Sequence, residues 1–99
     1  MNYTIDKIAS IIEGNILGNI SNNIFINDLL FDSRLLISPK STLFFALRSP
    51  RNDGFKYIQE LYDKGVRFFV IEDDEPMQLP GDEAIFIIVK DTLKALQKL

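Results

Sequence analysis

The 99-residue chain contains no cysteine and no histidine. Without cysteine there is no disulfide, no thiol nucleophile and no thiolate metal site. Without histidine the commonest general base and metal ligand is gone, and no Ser-His-Asp arrangement can form. A glycine-rich phosphate cradle is also missing. Lys40-Ser41 is the only Lys-Ser or Lys-Thr pair, and no glycine-rich loop precedes it. The chain on its own is therefore not expected to be an enzyme. No apolar run approaches a bilayer span, and the first residues lack the long apolar core of a signal peptide. A cytoplasmic protein with no membrane partner is expected. A formal net charge of −3, without a broad basic face, speaks against nucleic acid.

What is present suits one small domain over residues 1–99. Hydrophobic residues make up 46% and aromatics 11%, which is enough for a real core. A chain of this size still buries a modest share of its surface and is marginally stable. Its fold class reads as α/β, with a mixed or parallel sheet of about four to five strands and flanking helices.

Tyr3 to Gly14 reads as a helix, with helical spacing in Ile5, Ile8 and Ile12. Thr4 suits the N-cap, Asp6 the first turn and Gly14 the C′ position. Ile16 and Leu17 suit a short strand, Asn22-Asn23 a turn, and Ile24 and Ile26 an edge strand. Further strands are expected near 28–32, 43–47, 67–71 and 85–89, and helices near 54–64 and 91–99. Strand, helix, strand over 43–71 implies a parallel βαβ unit. Gly65 ends the middle helix and Asp91 caps the last one, with Leu93, Leu96 and Leu99 on its apolar side. Glu72-Asp73-Asp74-Glu75 matches no calcium loop and reads as a solvated turn, with no metal. The helical pattern breaks off at Leu99 without a Gly or Pro, as expected of a piece of a longer chain.

One stretch organises the rest. Asp32-Ser33-Arg34 ends a strand, where ligands of α/β sheets gather. The buried run Leu43–Leu47 follows, then Arg48-Ser49-Pro50-Arg51-Asn52-Asp53-Gly54, then a helix start that Asp53 can cap. From Ser33 to Tyr57 the charges are Arg34, Lys40, Arg48, Arg51 and Lys56 against the single acid Asp53. A basic segment beside a helix N-terminus, in an acidic chain, points to a small anion. The plain alternative is a set of solvated surface cations. Asp32, Asp53 and Glu60 are not fixed around any bond. Asp53 reads as a cap, and Asp32 as tied to local backbone or to Arg34.

The ordered set Asp32-Ser33-Arg34, Phe44-Phe45-Ala46-Leu47 and Asp53-Gly54 resembles the N-terminal domain of the Mur ligases, the ATP-dependent ligases of peptidoglycan synthesis. Ser49–Gly54 and Leu61–Arg67 are most similar to the D-alanyl-D-alanine-adding type, which some bacteria fuse to an alanine racemase. Ser49 replaces the usual Gly after the strand, and Phe55 the usual His after Asp-Gly. The resemblance implies a domain that holds the UDP end of a UDP-N-acetylmuramoyl-peptide. By motif position Ser33 meets uridine or phosphate, and Arg34 orients the strand end or meets the diphosphate. Ser49, Pro50, Arg51 and Asn52 line the pocket, while Asp32, Asp53 and Gly54 shape it. It also implies ATP and Mg²⁺ in other domains, a central ligase domain packed against this one, and pyridoxal phosphate if a racemase follows. Another amino-acid-adding ligase, or a plain α/β interaction module, are the alternatives.

Overall fold

In the central runs 42–45, 68–71 and 85–89 the side chains alternate between two apolar faces, so this part of the sheet must be covered on both sides. The computed structural model describes residues 3–18, 25–36, 38–49, 52–73 and 80–99. β1 (Tyr3–Thr4) leads into α1 (Ile5–Ile11) and then β2 (Asn15–Leu17). β3 (Phe25–Ile26) and β4 (Asp28–Leu30) precede two short 3₁₀ turns, Ser33–Leu35 and Pro39–Ser41. β5 (Thr42–Phe45) is followed by the small strands β6 (Arg48–Ser49) and β7 (Asn52–Asp53). A 3₁₀ turn, Gly54–Tyr57, runs into α2 (Ile58–Asp63), then β8 (Phe68–Glu72), β9 (Ile85–Val89) and α3 (Thr92–Gln97).

The five-stranded sheet has the order β2-β9-β8-β5-β4. β4, β5, β8 and β9 pair in parallel, and β2 closes one edge antiparallel to β9. This is the expected α/β class. One face carries Leu43, Phe45, Phe68, Val70, Ile85, Ile87 and Val89 under Ile5, Ile8 and Ile12 of the first helical segment and Ala95 of α3. The other carries Leu30, Phe44, Phe69, Ile71 and Phe86 under Ile58 and Leu61 of α2. Phe69 sits at the centre of that second face. Its ring lies 6.4 Å from Phe44 edge-on and 5.6 Å from Phe86.

Local signals explain most boundaries. The Thr4 hydroxyl accepts from Lys7 N, and the Asp91 carboxylate from Lys94 N, each satisfying an orphan donor of its helix. Gly65 takes φ +109° at the end of α2. Gly65 N donates to Tyr62 O and Val66 N to Leu61 O, the two bonds of a Schellman cap.

Several expectations are corrected. Tyr3 belongs to a strand paired with Ile26, not to the first helix, and β3 joins that small ribbon rather than the main sheet. At the end of α1 the left-handed residue is Glu13, at φ 58°, and Gly14 is the residue after it. The same pair of cap bonds forms there, Glu13 N to Ser10 O and Gly14 N to Ala9 O. Gly14 instead answers a close approach, because a Cβ there would run into Ile87. The middle helix begins with a 3₁₀ turn and becomes α-helical only at Ile58. Leu93 is half exposed, and Thr92 and Ala95 are the buried residues of α3. Glu72 is no solvated turn residue: it ends β8 and is bonded to Thr92. Asn22, Asn23, Ile24, Asp74 and Glu75 lie outside the described residues.

Candidate functional site

A parallel sheet sends the loops that follow its strands to one edge, the edge where α/β proteins gather their ligands. Here that edge carries an open groove of about 730 Å³. Phe31, Asp32 and Arg34 come from the end of β4, and Leu47 and Arg48 from the end of β5. Gly54, Tyr57, Glu60 and Lys64 come from the helical segment beyond the loop, and Leu93 from α3. Arg34, Arg48 and Lys64 thus share one groove with Asp32 and Glu60.

Asp32 does two local jobs. Its carboxylate accepts from Arg34 N, which starts the 3₁₀ turn, and from the Arg34 guanidinium through Nε at 3.0 Å and Nη2 at 2.8 Å. Hydrogen bonding to that guanidinium, with help from the Arg34 N–H, holds the Asp32 carboxyl down at about 2. The same bonds raise the Arg34 pKa and keep it charged. This forked pair spans two residues and stiffens the strand end. Ser33 lies between them, in the same turn.

The loop after β5 is a small antiparallel ladder, which the sequence did not signal. Arg48 pairs with Asp53 and Ser49 with Asn52. Pro50 and Arg51 lie outside the described residues. Gly54 N donates to Leu47 O at 2.8 Å, and Asp53 Oδ1 accepts from Phe55 N. Both bonds use donors of the helix start. Those two N–H groups are engaged within the chain, and Arg34, Arg48 and Lys64 bring cationic side chains to the groove. Gly54 has a steric reason. A Cβ there would lie 2.9 Å from Leu47 N and 3.0 Å from the Ala46 carbonyl carbon, both rigid backbone. Phe55 packs on the α2-side core.

Sequence reasoning missed Tyr57, which lines the groove, and Glu72, which lies outside the lining but faces Arg48. Tyr57 was read only as part of a helix. Glu72 was grouped with its acidic neighbours, although the alternation of β8 could have placed it. Phe68 and Val70 face the α1 and α3 side, and Glu72 continues that parity. Its Oε2 accepts from Thr92 N at 3.0 Å and from Thr92 Oγ1 at 3.1 Å, and its Oε1 lies 3.6 Å from Arg48 Nη1.

No protein-family model matches the chain. A curated relative, the UDP-N-acetylmuramoyl-L-alanyl-D-glutamate--2,6-diaminopimelate ligase of Clostridioides difficile, is 37% identical over 97 residues. That match covers 94% of this chain and 18% of the ligase. The UDP-N-acetylmuramoyl-tripeptide--D-alanyl-D-alanine ligase of Synechocystis is 33% identical over 81 residues, covering 82% of this chain and 17% of its own. The homologues of this chain are Mur ligases. The chain spans under a fifth of the curated relatives it matches and is homologous to the N-terminal domain of Mur ligases. Two kinds of Mur ligase appear among these relatives, so the D-alanyl-D-alanine type is not singled out. Among solved structures, a crystal structure of MurF from Acinetobacter baumannii superposes with a TM-score of 0.81 over 100% of this chain and 20% of that one. At 21% identity that likeness speaks for the Mur ligase N-terminal fold alone.

Proposed function

We propose that residues 1–99 form the substrate-anchoring domain of a peptidoglycan-precursor ligase and hold the UDP part of a UDP-N-acetylmuramoyl-peptide. The observation that carries this reading is the groove at the C-terminal edge of the parallel sheet. Asp32 and Arg34 border it on one side, and Arg48 with Gly54 on the other. Homology to Mur ligases supplies the substrate class. Three cationic side chains suit a diphosphate, and Tyr57 and Phe31 offer apolar surface to a base.

In this reading the domain contributes position and no bond-making step. Binding energy from a remote part of a substrate orients a reacting carboxylate that lies elsewhere. ATP and Mg²⁺ belong to other domains of the ligase, since the sequence has no glycine-rich cradle for them. Pyridoxal phosphate belongs only to a fused racemase. The site acts in the cytoplasm, against a central domain. The loop Ser49–Gly54 and the Synechocystis relative favour D-alanyl-D-alanine addition; the Clostridioides relative favours diaminopimelate addition as a second reading. Both keep the same UDP role.

The test is a chemical-shift titration of the chain with UDP and with uridine. UDP is expected to bind with a dissociation constant on the order of a millimolar, about 4 kcal/mol, and uridine more weakly. Salt is expected to weaken UDP more than uridine, because exposed charge contacts are screened. Arg51→Ala is expected to narrow the gap, and Ser33→Ala to weaken both ligands. If UDP at several millimolar shifts no resonance near Ser33 or in 48–54, the reading is wrong.

A further inference from the structure

Glu72 stands outside the motif residues, yet it joins three parts of the molecule. It ends β8, one carboxylate oxygen is held by α3, and the other faces Arg48 in the groove. Its side chain is 15% exposed, so it sits in place rather than waving in solvent. Thr92, which gives it two hydrogen bonds, is fully buried. Arg48 is different: a long side chain, 44% exposed, at the mouth of the groove. An anchored carboxylate beside a more exposed guanidinium restricts the guanidinium more than itself.

We propose that Glu72 is a positioning residue that fixes Arg48 at the groove, with Thr92 as its buried anchor. This rests on the uridine-diphosphate reading for the identity of the ligand, and it adds to that reading a chain of three residues, Thr92, Glu72 and Arg48. Through it, the start of α3 and the anion-facing side chain are held by one carboxylate. Arg48 is presented to the diphosphate already ordered, so less freedom is lost on binding. The Glu72 charge does not cancel this benefit, because the two Thr92 donors share it with the arginine.

The experiment has a ligand-free arm and a ligand arm, both on the whole chain. In the first, the Arg48 Nε–H resonance is followed by NMR. In wild type it should be dispersed, and in Glu72→Gln it should move away from its wild-type position. Glutamine keeps an oxygen for Thr92, so the fold should survive. In the second, the ratio of UDP to uridine affinity is measured. Glu72→Gln and Thr92→Val should each narrow it about threefold or more. Thr92→Ser, which keeps the hydroxyl, should restore it, a result that mere packing at position 92 would not produce. In an Arg48→Ala background Thr92→Val should have no further effect on the ratio. An Arg48 signal unchanged by Glu72→Gln overturns the proposal even where UDP binds. A ratio that widens in Glu72→Gln also overturns it, since the carboxylate is then a competitor. Failure of wild type to bind UDP, with the Arg48 signal still governed by Glu72, instead overturns the uridine-diphosphate reading and the ligand half of this inference.

Discussion

Arg34 grips Asp32 with two nitrogens, Nε at 3.0 Å and Nη2 at 2.8 Å, although the two residues are separated only by Ser33. The pair is local and exposed, with 85% of the Arg34 side chain open to solvent. Its effect is to fix a direction: the strand end and the turn after it share one carboxylate.

That pair makes the first prediction. The Asp32 carboxyl is held at about 2 instead of the ordinary 3.8, chiefly by the Arg34 side chain. The folded value lies below the unfolded one, so the pair favours the folded state above about pH 4. The contribution is lost as pH falls through the interval from 3.8 to about 2. A carboxyl-carbon NMR titration should find Asp32 near 2, and Arg34→Gln should return it toward 3.8. An Asp32 that titrates near 3.8 in wild type refutes the forked geometry.

Glu13 closes α1 in the left-handed region at φ 58°, where a Cβ crowds the backbone. Glycine at that position is expected to stabilise the fold by about 0.5–1 kcal/mol after its own entropy cost, or roughly 2–8 °C in Tm. Glu13 also meets Lys98 at 3.3 Å, but that pair is exposed and its loss costs little. Lys98→Ala serves as the control and should shift Tm by less than Glu13→Gly. Thermal unfolding that shows Glu13→Gly destabilised would mean the ion pair outweighs the backbone.

Gly54 touches backbone, which cannot rotate away. Gly54→Ala is expected to cost about 1–3 kcal/mol and to push the loop away from the end of β5. Urea denaturation reads the first effect, and amide shifts in 46–49 the second. An unchanged midpoint would show that the loop yields freely.

Phe69 is fully buried between Phe44 and Phe86. Truncation to alanine should cost about 3–5 kcal/mol, against a whole-domain stability of about 5–15 kcal/mol. Phe69→Leu should cost much less. Equal losses for the two variants would mean that ring geometry, not volume, holds this face.

The parallel architecture was legible because burial is written as an alternation over short apolar runs. Leu43–Leu47, Phe68–Ile71 and Ile85–Val89 could only be strands covered on both faces. Caps were legible for the same local reason: Thr4, Asp53 and Asp91 each bond a backbone N–H two or three residues away. The strand-end position of Asp32, Ser33 and Arg34 followed from order along the chain.

What the chain order alone did not settle depends on residues far apart in sequence. Tyr3 became a strand because Ile26 offers it a partner, which overrides its place before a helix. Gly14 is required by Ile87, and Leu93 turned outward because Thr92 and Ala95 are the α3 residues that meet the sheet. Glu72 is the sharpest case. Its neighbours in sequence are acids, but the parity of β8 and the arrival of α3 place it between Thr92 and Arg48. Local hydrogen bonding and alternation are short-range and can be read from sequence. Which distant surfaces meet is decided only when the sheet closes and both faces are packed.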